Sequence, residues 1–272
     1  MVRNAFGFIG RKYFQFVELT LDFLREISGL YYLTKETLYV TFIEPFRGKP
    51  NKWGPVFVQM EEVGVKSTSI VFLVSFLIGV ILAFQTAYQL ARFGALNFTG
   101  ALVGVAVTRE LGPLMTALVM AGRVGASFTA ELGTMKVADE ILALQTMALN
   151  PVKFLITPRF LAILIMLPVL TILADFMGMA GGFLIGVTTL GIHPGAYIDN
   201  SIESVQLKDV WTGLIKSGVF GLIIVMVGSY MAFIIEGGAE KVGQNTRTAV
   251  VISMVLIILA DLVFTTLFFF VT

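Results

Sequence analysis

Five stretches of this chain are each long enough and apolar enough to cross a lipid bilayer, which leaves the backbone few options. They lie at roughly 69–91, 99–122, 154–188, 211–235 and 248–271, and a spanning helix needs ~20 mainly apolar residues. In hydrocarbon every peptide N–H and C=O must find a partner inside the chain, so such stretches fold as helices. The composition agrees: 57% of the residues are hydrophobic and 14% charged, against about 45–50% and about 25% in a soluble domain. The expected fold is an all-α integral membrane protein. An N-terminal interfacial amphipathic helix precedes five transmembrane helices, and a short cytoplasmic helix joins the second and third spans.

Residues 1–52 read as the interfacial helix and its linker, and 53–272 as the transmembrane domain. At helical spacing over 3–30, Arg11, Gln15, Glu18, Asp22 and Arg25 share one face, while Phe14, Val17, Leu21 and Leu24 share another. The same charges interrupt any signal-peptide core. Pro45 to Pro50 mark a connection, with Trp53 an interface anchor. Lys and Arg set the orientation: 1–68 holds nine, 123–159 four, and Lys241 and Arg247 follow, against Arg92 and Lys208 on the other side. This bias places the N-terminus in the cytoplasm and, after five spans, the C-terminus in the periplasm. Pro158 and Pro168 predict a kink or re-entrant break in the third stretch. Gly178, Gly182 and Gly186 carry the small-residue spacing of closely packed helices.

Arg109 and Glu110 stand side by side in the middle of the second stretch. A charge at mid-bilayer costs at least ~2.5 kcal/mol, so both must face protein or water. On a helix they point about 100° apart and are not each other's sole partners. Either each pairs with another span, with Asp175, Lys216 and Asp261 as candidates, or Glu110 and Arg109 border a cavity. Arg123 and Glu131, two turns apart near the inner boundary, read as structural ion pairs. Together with Asp175 these residues form the expected intramembrane charge network: Arg109, Glu110, Arg123, Glu131 and Asp175. In the outer half of the first span, Leu82, Gln85, Gln89, Leu90 and Phe93 compose an amphiphilic wall, with interhelical hydrogen bonding the competing reading.

The 123–159 connection is not loop-like. Val137, Ile141, Leu144 and Ala148 recur at spacings of 4, 3 and 4, an amphipathic helix ended by Asn150-Pro151. Asp139 and Glu140 fall in its first turn, where carboxylates suit the helix dipole. Such a helix either docks into a partner subunit or lies on the membrane surface.

An ordered series of motifs resembles the MlaE/YrbE permeases over roughly residues 55–270. It comprises Arg109-Glu-Leu-Gly-Pro113, Ala121-Gly-Arg-Val-Gly125, Ala130-Glu-Leu-Gly-Thr-Met135, Asp139-Glu140-Ile141, Asn150-Pro151, Pro158-Arg159-Phe160, Leu167-Pro168, Asp175 and Gly181-Gly182. The resemblance implies a permease subunit of an ABC transporter that moves phospholipids or related lipids between the inner and outer membranes. It also implies a permease homodimer, a cytoplasmic ABC ATPase, an MCE-domain lipid-binding protein and residence in the bacterial inner membrane. On it, Leu82, Gln85, Gln89, Leu90, Phe93 and Glu110 would line the lipid pathway. Val137, Asp139, Glu140, Ile141 and Leu144 would meet the ATPase. The chain departs from the family where an acid is usual, at Leu142 and Asn150, and gains one at Glu140.

A second class, an ion-coupled secondary carrier, would use the intramembrane acids Glu110, Asp175 and Asp261. The missing internal repeat counts against it. An intramembrane enzyme is a poor fit: the chain has no cysteine, one histidine (His193, in an outer loop) and no Gly-x-Ser-x-Gly. No cofactor or metal is expected, and a net charge of +1 gives no sign of nucleic-acid binding. The phosphate-binding Gly-x-x-x-x-Gly-Lys-Ser/Thr loop is absent, so any ATPase is a separate subunit.

Overall fold

Every regular element among the described residues, 26–47 and 52–271 of the computed structural model, is a helix. Helix α1 runs over 26–38 and continues through a widened turn at Tyr39–Ile43 into a 3-10 turn at Glu44–Arg47. Then come α2 (Trp53–Ala91), α3 (Leu96–Val137), α4 (Glu140–Thr146), α5 (Val152–Thr188), α6 (Pro194–Ser204), α7 (Leu207–Phe233) and α8 (Ala239–Val271). Five of these, α2, α3, α5, α7 and α8, are long and apolar enough to cross a membrane. The protein is an all-α integral membrane protein with five spans. The amphipathic faces expected over 3–30 fall, apart from residues 26–30, outside the described residues.

Two elements differ from expectation. Helix α2 starts at Trp53, not near 69, with a 3-10 turn at Val65–Ser67 where the apolar run begins. Gln59, Glu61 and Glu62 make Trp53–Val63 too polar to read as membrane-spanning, yet Val56 and Val63 are buried, and this first part packs along α5. Helix α6 occupies what reads as an outer loop; exposed His193 precedes its first residue, Pro194.

Prolines explain three of the four places where the helices widen; the fourth, Ala121–Gly125, has no proline after it. Three π-turns, Tyr39–Ile43, Val107–Leu111 and Val152–Ile156, each end two residues before a proline: Pro45, Pro113 and Pro158. A proline in a helix removes one donor and its ring crowds the carbonyl four residues back. In each case the residue just before the proline bonds five residues back: Glu44 to Tyr39, Gly112 to Val107, and Thr157 to Val152. One extra residue in the turn thus absorbs the conflict. The re-entrant break expected in the third stretch does not occur. Pro158 sits in the first turn of the α-helical part of α5, and the helix passes Pro168 without interruption.

Helices α5 and α7 form the centre. Helix α2 packs on α5, α8 packs on α7, and α3 threads between, touching α2, α5, α7 and α8. Phe128, Met120, Phe160, Leu167 and Phe220 fill the core and are essentially inaccessible. The α2–α5 contact is made by glycines. A Cβ on Gly79 would collide with the carbonyl oxygen of Gly178, and one on Gly181 with that of Phe76. Near the α6 end, the Tyr197 ring lies over Gly186, against Phe183 edge-on at 5.7 Å. Burial pushes the Tyr197 hydroxyl up to about 12.

The backbone-to-backbone contact at Gly79 leaves no flexible group to yield. Gly79→Ala should lower stability in detergent by about 1–3 kcal/mol or more. Gly122→Ala, where the nearest atom would be 3.9 Å away, should be tolerated. Thermal unfolding followed by size-exclusion chromatography reads the difference.

Candidate functional site

The π-turn at Val107–Leu111 carries Arg109 and Glu110 at its centre, so the proline that widens α3 also sets where its two charges point. Glu110 faces α7 and α8. Lys216 on α7, only 1% exposed, donates from Nζ to Glu110 Oε2 at 2.5 Å and to Thr265 Oγ1 of α8 at 2.8 Å. Its ammonium also pairs with Asp261 Oδ1 of α8 at 2.9 Å. Thr265 in turn donates to Glu110 Oε2 at 3.1 Å. One buried cation therefore holds carboxylates from two other helices. Two of the three pairing candidates, Lys216 and Asp261, lie here and the third, Asp175, does not; the spacing of apolar residues gave no sign of Thr265.

Arg109 is less tightly held. Its guanidinium lies 4.0 Å from Asp209 Oδ1 and 4.0 Å from Glu110 Oε1. Asp209 is itself buried, and it belongs to a capping box in which Gln206 and Asp209 satisfy the first amides of α7. The Gln-x-x-Asp spacing just ahead of an apolar run was the sequence signal for it. Asp175 stands apart from the expected network. Its carboxylate is buried against Gly112, Oδ1 has no hydrogen-bond partner, and among the described residues it forms no ion pair. A Cβ at position 112 would collide with that oxygen.

Toward the α4 end of the bundle, Arg123 and Glu131 have separate partners. Arg123 Nη1 donates to Ser67 Oγ and, at 3.3 Å, to the Glu62 carbonyl, both on α2. Glu131 pairs at 2.7 Å with Arg159 of α5, whose guanidinium lies over the Phe128 ring. Helix α3 is thereby tied to α2 and α5 just before it ends.

The linker is shorter than its periodicity implied. Val137 closes α3, and Asp139 then adopts left-handed backbone (φ +57°), which breaks the helix before Glu140. Ala148, also at φ +57°, lies beyond the end of α4. Ile141 is turned into the bundle and buried, and Leu144 is half-buried. The apolar side chains α4 and its last turn offer outward are Leu142 and Met147, 55% and 61% exposed, with Asp139 and Glu140 beside them. Of the residues expected to meet a partner, Ile141 packs on its own chain, whereas Val137, Asp139 and Glu140 remain exposed.

On α2, Gln85 and Gln89 lie in a shallow groove with Ile81, Phe84 and Tyr88. Leu82 and Leu90 are half-buried, Leu82 against the Ala83, Val103 and Val107 cluster, and Phe93 is 83% exposed. Glu110 is not among the residues lining that groove. Among the described residues no cluster of His, Asp or Glu is placed to hold a metal ion.

Five spans, an ion cluster joining three of them, and a short exposed helix between the second and third define a polytopic helical membrane protein. The chain belongs to the Permease MlaE family, whose model matches residues 56–267. It is 38% identical to a probable ABC transporter permease protein of Rickettsia typhi over 211 residues, 78% of this chain and 82% of that one. It is 35% identical to the intermembrane phospholipid transport system permease protein MlaE of Haemophilus influenzae over 226 residues, 82% of this chain and 87% of that one. A third relative, the chloroplastic protein TRIGALACTOSYLDIACYLGLYCEROL 1 of Arabidopsis thaliana, is 36% identical over 217 residues, 80% of this chain and 62% of that one.

Removing one partner of a buried ion pair leaves the others uncompensated, at a cost of about 3–5 kcal/mol. Lys216→Met should therefore destabilise the protein by that order, measured by thermal unfolding in detergent. Adding Glu110→Gln and Asp261→Asn to the same chain should recover most of the loss, since no unpaired charge then remains.

Proposed function

We propose that this chain is the permease subunit of an ABC transporter that moves phospholipids between membranes. Two copies form the pathway, a cytoplasmic ATPase docks on α4, and an MCE-domain lipid-binding protein receives or delivers lipid at the α6 end. The chain itself carries no catalytic activity. It resides in the bacterial inner membrane with its N-terminus in the cytoplasm, the orientation that puts α4 and most Lys and Arg on one side.

The observation that carries this reading is α3 together with α4. One long helix runs from Leu96 to Val137, bears Arg109 and Glu110 midway, and leads directly into a short helix between backbone breaks, with Leu142 and Met147 outward. That is what a motor-driven permease requires: a handle outside the membrane, directly connected in the chain to residues within it. The relation to the Haemophilus phospholipid transport permease supports phospholipid as the cargo. Helix α2 fits the lipid-facing wall, since Gln85, Gln89 and Phe93 are exposed beside apolar neighbours. Glu110 joins that pathway through its exposed edge, 31% accessible, while its other contacts hold the helices.

The carrier alternative needs acids free to take up and release ions. Of its three candidate acids, Glu110 and Asp261 are instead paired with one lysine and only Asp175 forms no ion pair among the described residues, which favours the permease.

With its co-purified ATPase in proteoliposomes, the protein should move phospholipid only when ATP is supplied, and collapse of a proton gradient should leave the rate unchanged. Gradient-driven movement without ATP would establish the carrier instead. Leu142→Asp should lower ATPase co-purification, and Glu110→Gln should slow lipid movement while the complex still assembles. Normal transport in Glu110→Gln would remove that residue from the lipid pathway.

A further inference from the structure

The turn that returns α4 to the membrane is held at one residue. Asn150 Oδ1 accepts the backbone N–H groups of Val152 at 2.8 Å and Lys153 at 3.4 Å, the arrangement that caps a helix start. Its amide Nδ2 is left to donate, and it donates to Glu36 Oε1 of α1 at 3.0 Å. A single side chain therefore joins the linker exit to the first turn of α5 and to α1. Other contacts of α1 and its extension reach α5 further along: Lys153 Nζ to Glu44 Oε2 at 2.6 Å, and Phe42 edge-on to Phe160 at 6.2 Å. The Asn150–Glu36 bond touches the loop itself.

That loop is strained. Ala148 holds φ +57°, a region costly for a residue with a Cβ and no polar side chain to compensate. Such a conformation persists only where its surroundings over-determine it. Here the Leu149 N–H bonds back to Leu144 at 3.0 Å, and Asn150 fixes the far side. Asp139 is also left-handed, so α4 lies between two left-handed turns, the points at which it would pivot. Beneath its exit lies a cavity of about 510 Å3 whose lining includes Leu33, Glu36, Gln145, Asn150 and Phe233.

We infer that Asn150 and Glu36 form a clamp that fastens the exit of α4 to α1, so that displacement of α4 is passed into α5 instead of being taken up at the Ala148 hinge. Asn150 is thus a positioning residue for coupling. The inference rests on the proposed docking of an ATPase on α4, but the clamp can be tested separately from it.

Asn150→Asp isolates the donor. Aspartate caps a helix start as well as asparagine does, so α5 should still begin where it does, but the carboxylate cannot donate to Glu36 and repels it. Glu36→Gln alone keeps an acceptor for Asn150. Combined with Asn150→Asp, the amide introduced by Glu36→Gln supplies the donor in the reverse direction and restores the bond.

Two readouts apply to the full chain purified with its ATPase. The protein has no cysteine, so spin labels at exposed Lys35 and Thr146 report the distance between α1 and α4 by double electron–electron resonance. In vesicles of phosphatidylethanolamine and phosphatidylglycerol, ATP hydrolysis and lipid movement are measured together. We expect a broadened distance distribution in Asn150→Asp. Its lipid movement should fall about tenfold with hydrolysis within about twofold of wild type, an ordinary size for a coupling change. Both should return with Glu36→Gln added. A wild-type distance distribution in Asn150→Asp, or a double variant no better than the single, overturns the clamp. Absence of ATP-dependent lipid movement in the wild type overturns the proposed function instead, and the distances still decide whether the clamp exists.

Discussion

A single ammonium group, Lys216 Nζ, is the constraint around which the membrane-embedded half of this protein is arranged. An uncompensated charge at that depth is costly, and Lys216 is almost wholly inaccessible. It is tolerable because α3 supplies Glu110 and α8 supplies Asp261 and Thr265. The relationship is mutual, since each carboxylate also needs the cation. Such clusters are weak evidence for stability, because apolar residues of similar volume often serve as well. Their value is in register: only one sliding position of α3, α7 and α8 brings the three together.

The rest of the bundle keeps α3 in that position. Pro113 widens the helix just below Glu110, and the resulting π-turn sets which way the charges face. Glycine contacts bring α2 onto α5 at backbone distance, and Arg123 and the Glu131–Arg159 pair tie the lower part of α3 to the same two helices. Below Val137 these restraints stop, and the chain enters a short helix bounded by two left-handed residues. A rigid rod and a hinged end are the two parts a mechanical coupling needs, and they meet at Asp139.

Much of this was legible in the sequence. Five apolar stretches became five spans, because backbone satisfaction in lipid leaves helices as the solution. The Gly178–Gly186 series marked a close helix contact, and Lys216 and Asp261 were candidates for pairing with Arg109 and Glu110. What was hidden has identifiable causes. Proline reads as a kink or break, and only three-dimensional context turns Pro45, Pro113 and Pro158 into π-turns with an unbroken helix. The spacing of Val137, Ile141, Leu144 and Ala148 located an amphipathic helix, but periodicity cannot say that Ile141 packs on its own chain while Val137 and Ala148 stay exposed, nor that left-handed residues trim both ends. Asp175 looked like a network member by its type and depth, yet its carboxylate faces the Gly112 backbone, a contact with no sequence signature.

In the working complex, α3 and α8 should move as one body while α4 swings. Spin-label distances in the complex with its ATPase, nucleotide-free and ATP-bound, address this directly. Leu102 on α3 and Leu262 on α8 are about half exposed, and Thr146 on α4 is exposed and polar, so all three accept labels without disturbing the core or the outward apolar side chains of α4. The Leu102–Leu262 separation should be unchanged between the two states and the Thr146–Leu262 separation shifted. A Leu102–Leu262 change as large as that at Thr146 would mean that the lysine cluster does not lock the helices, and would contradict this mechanism.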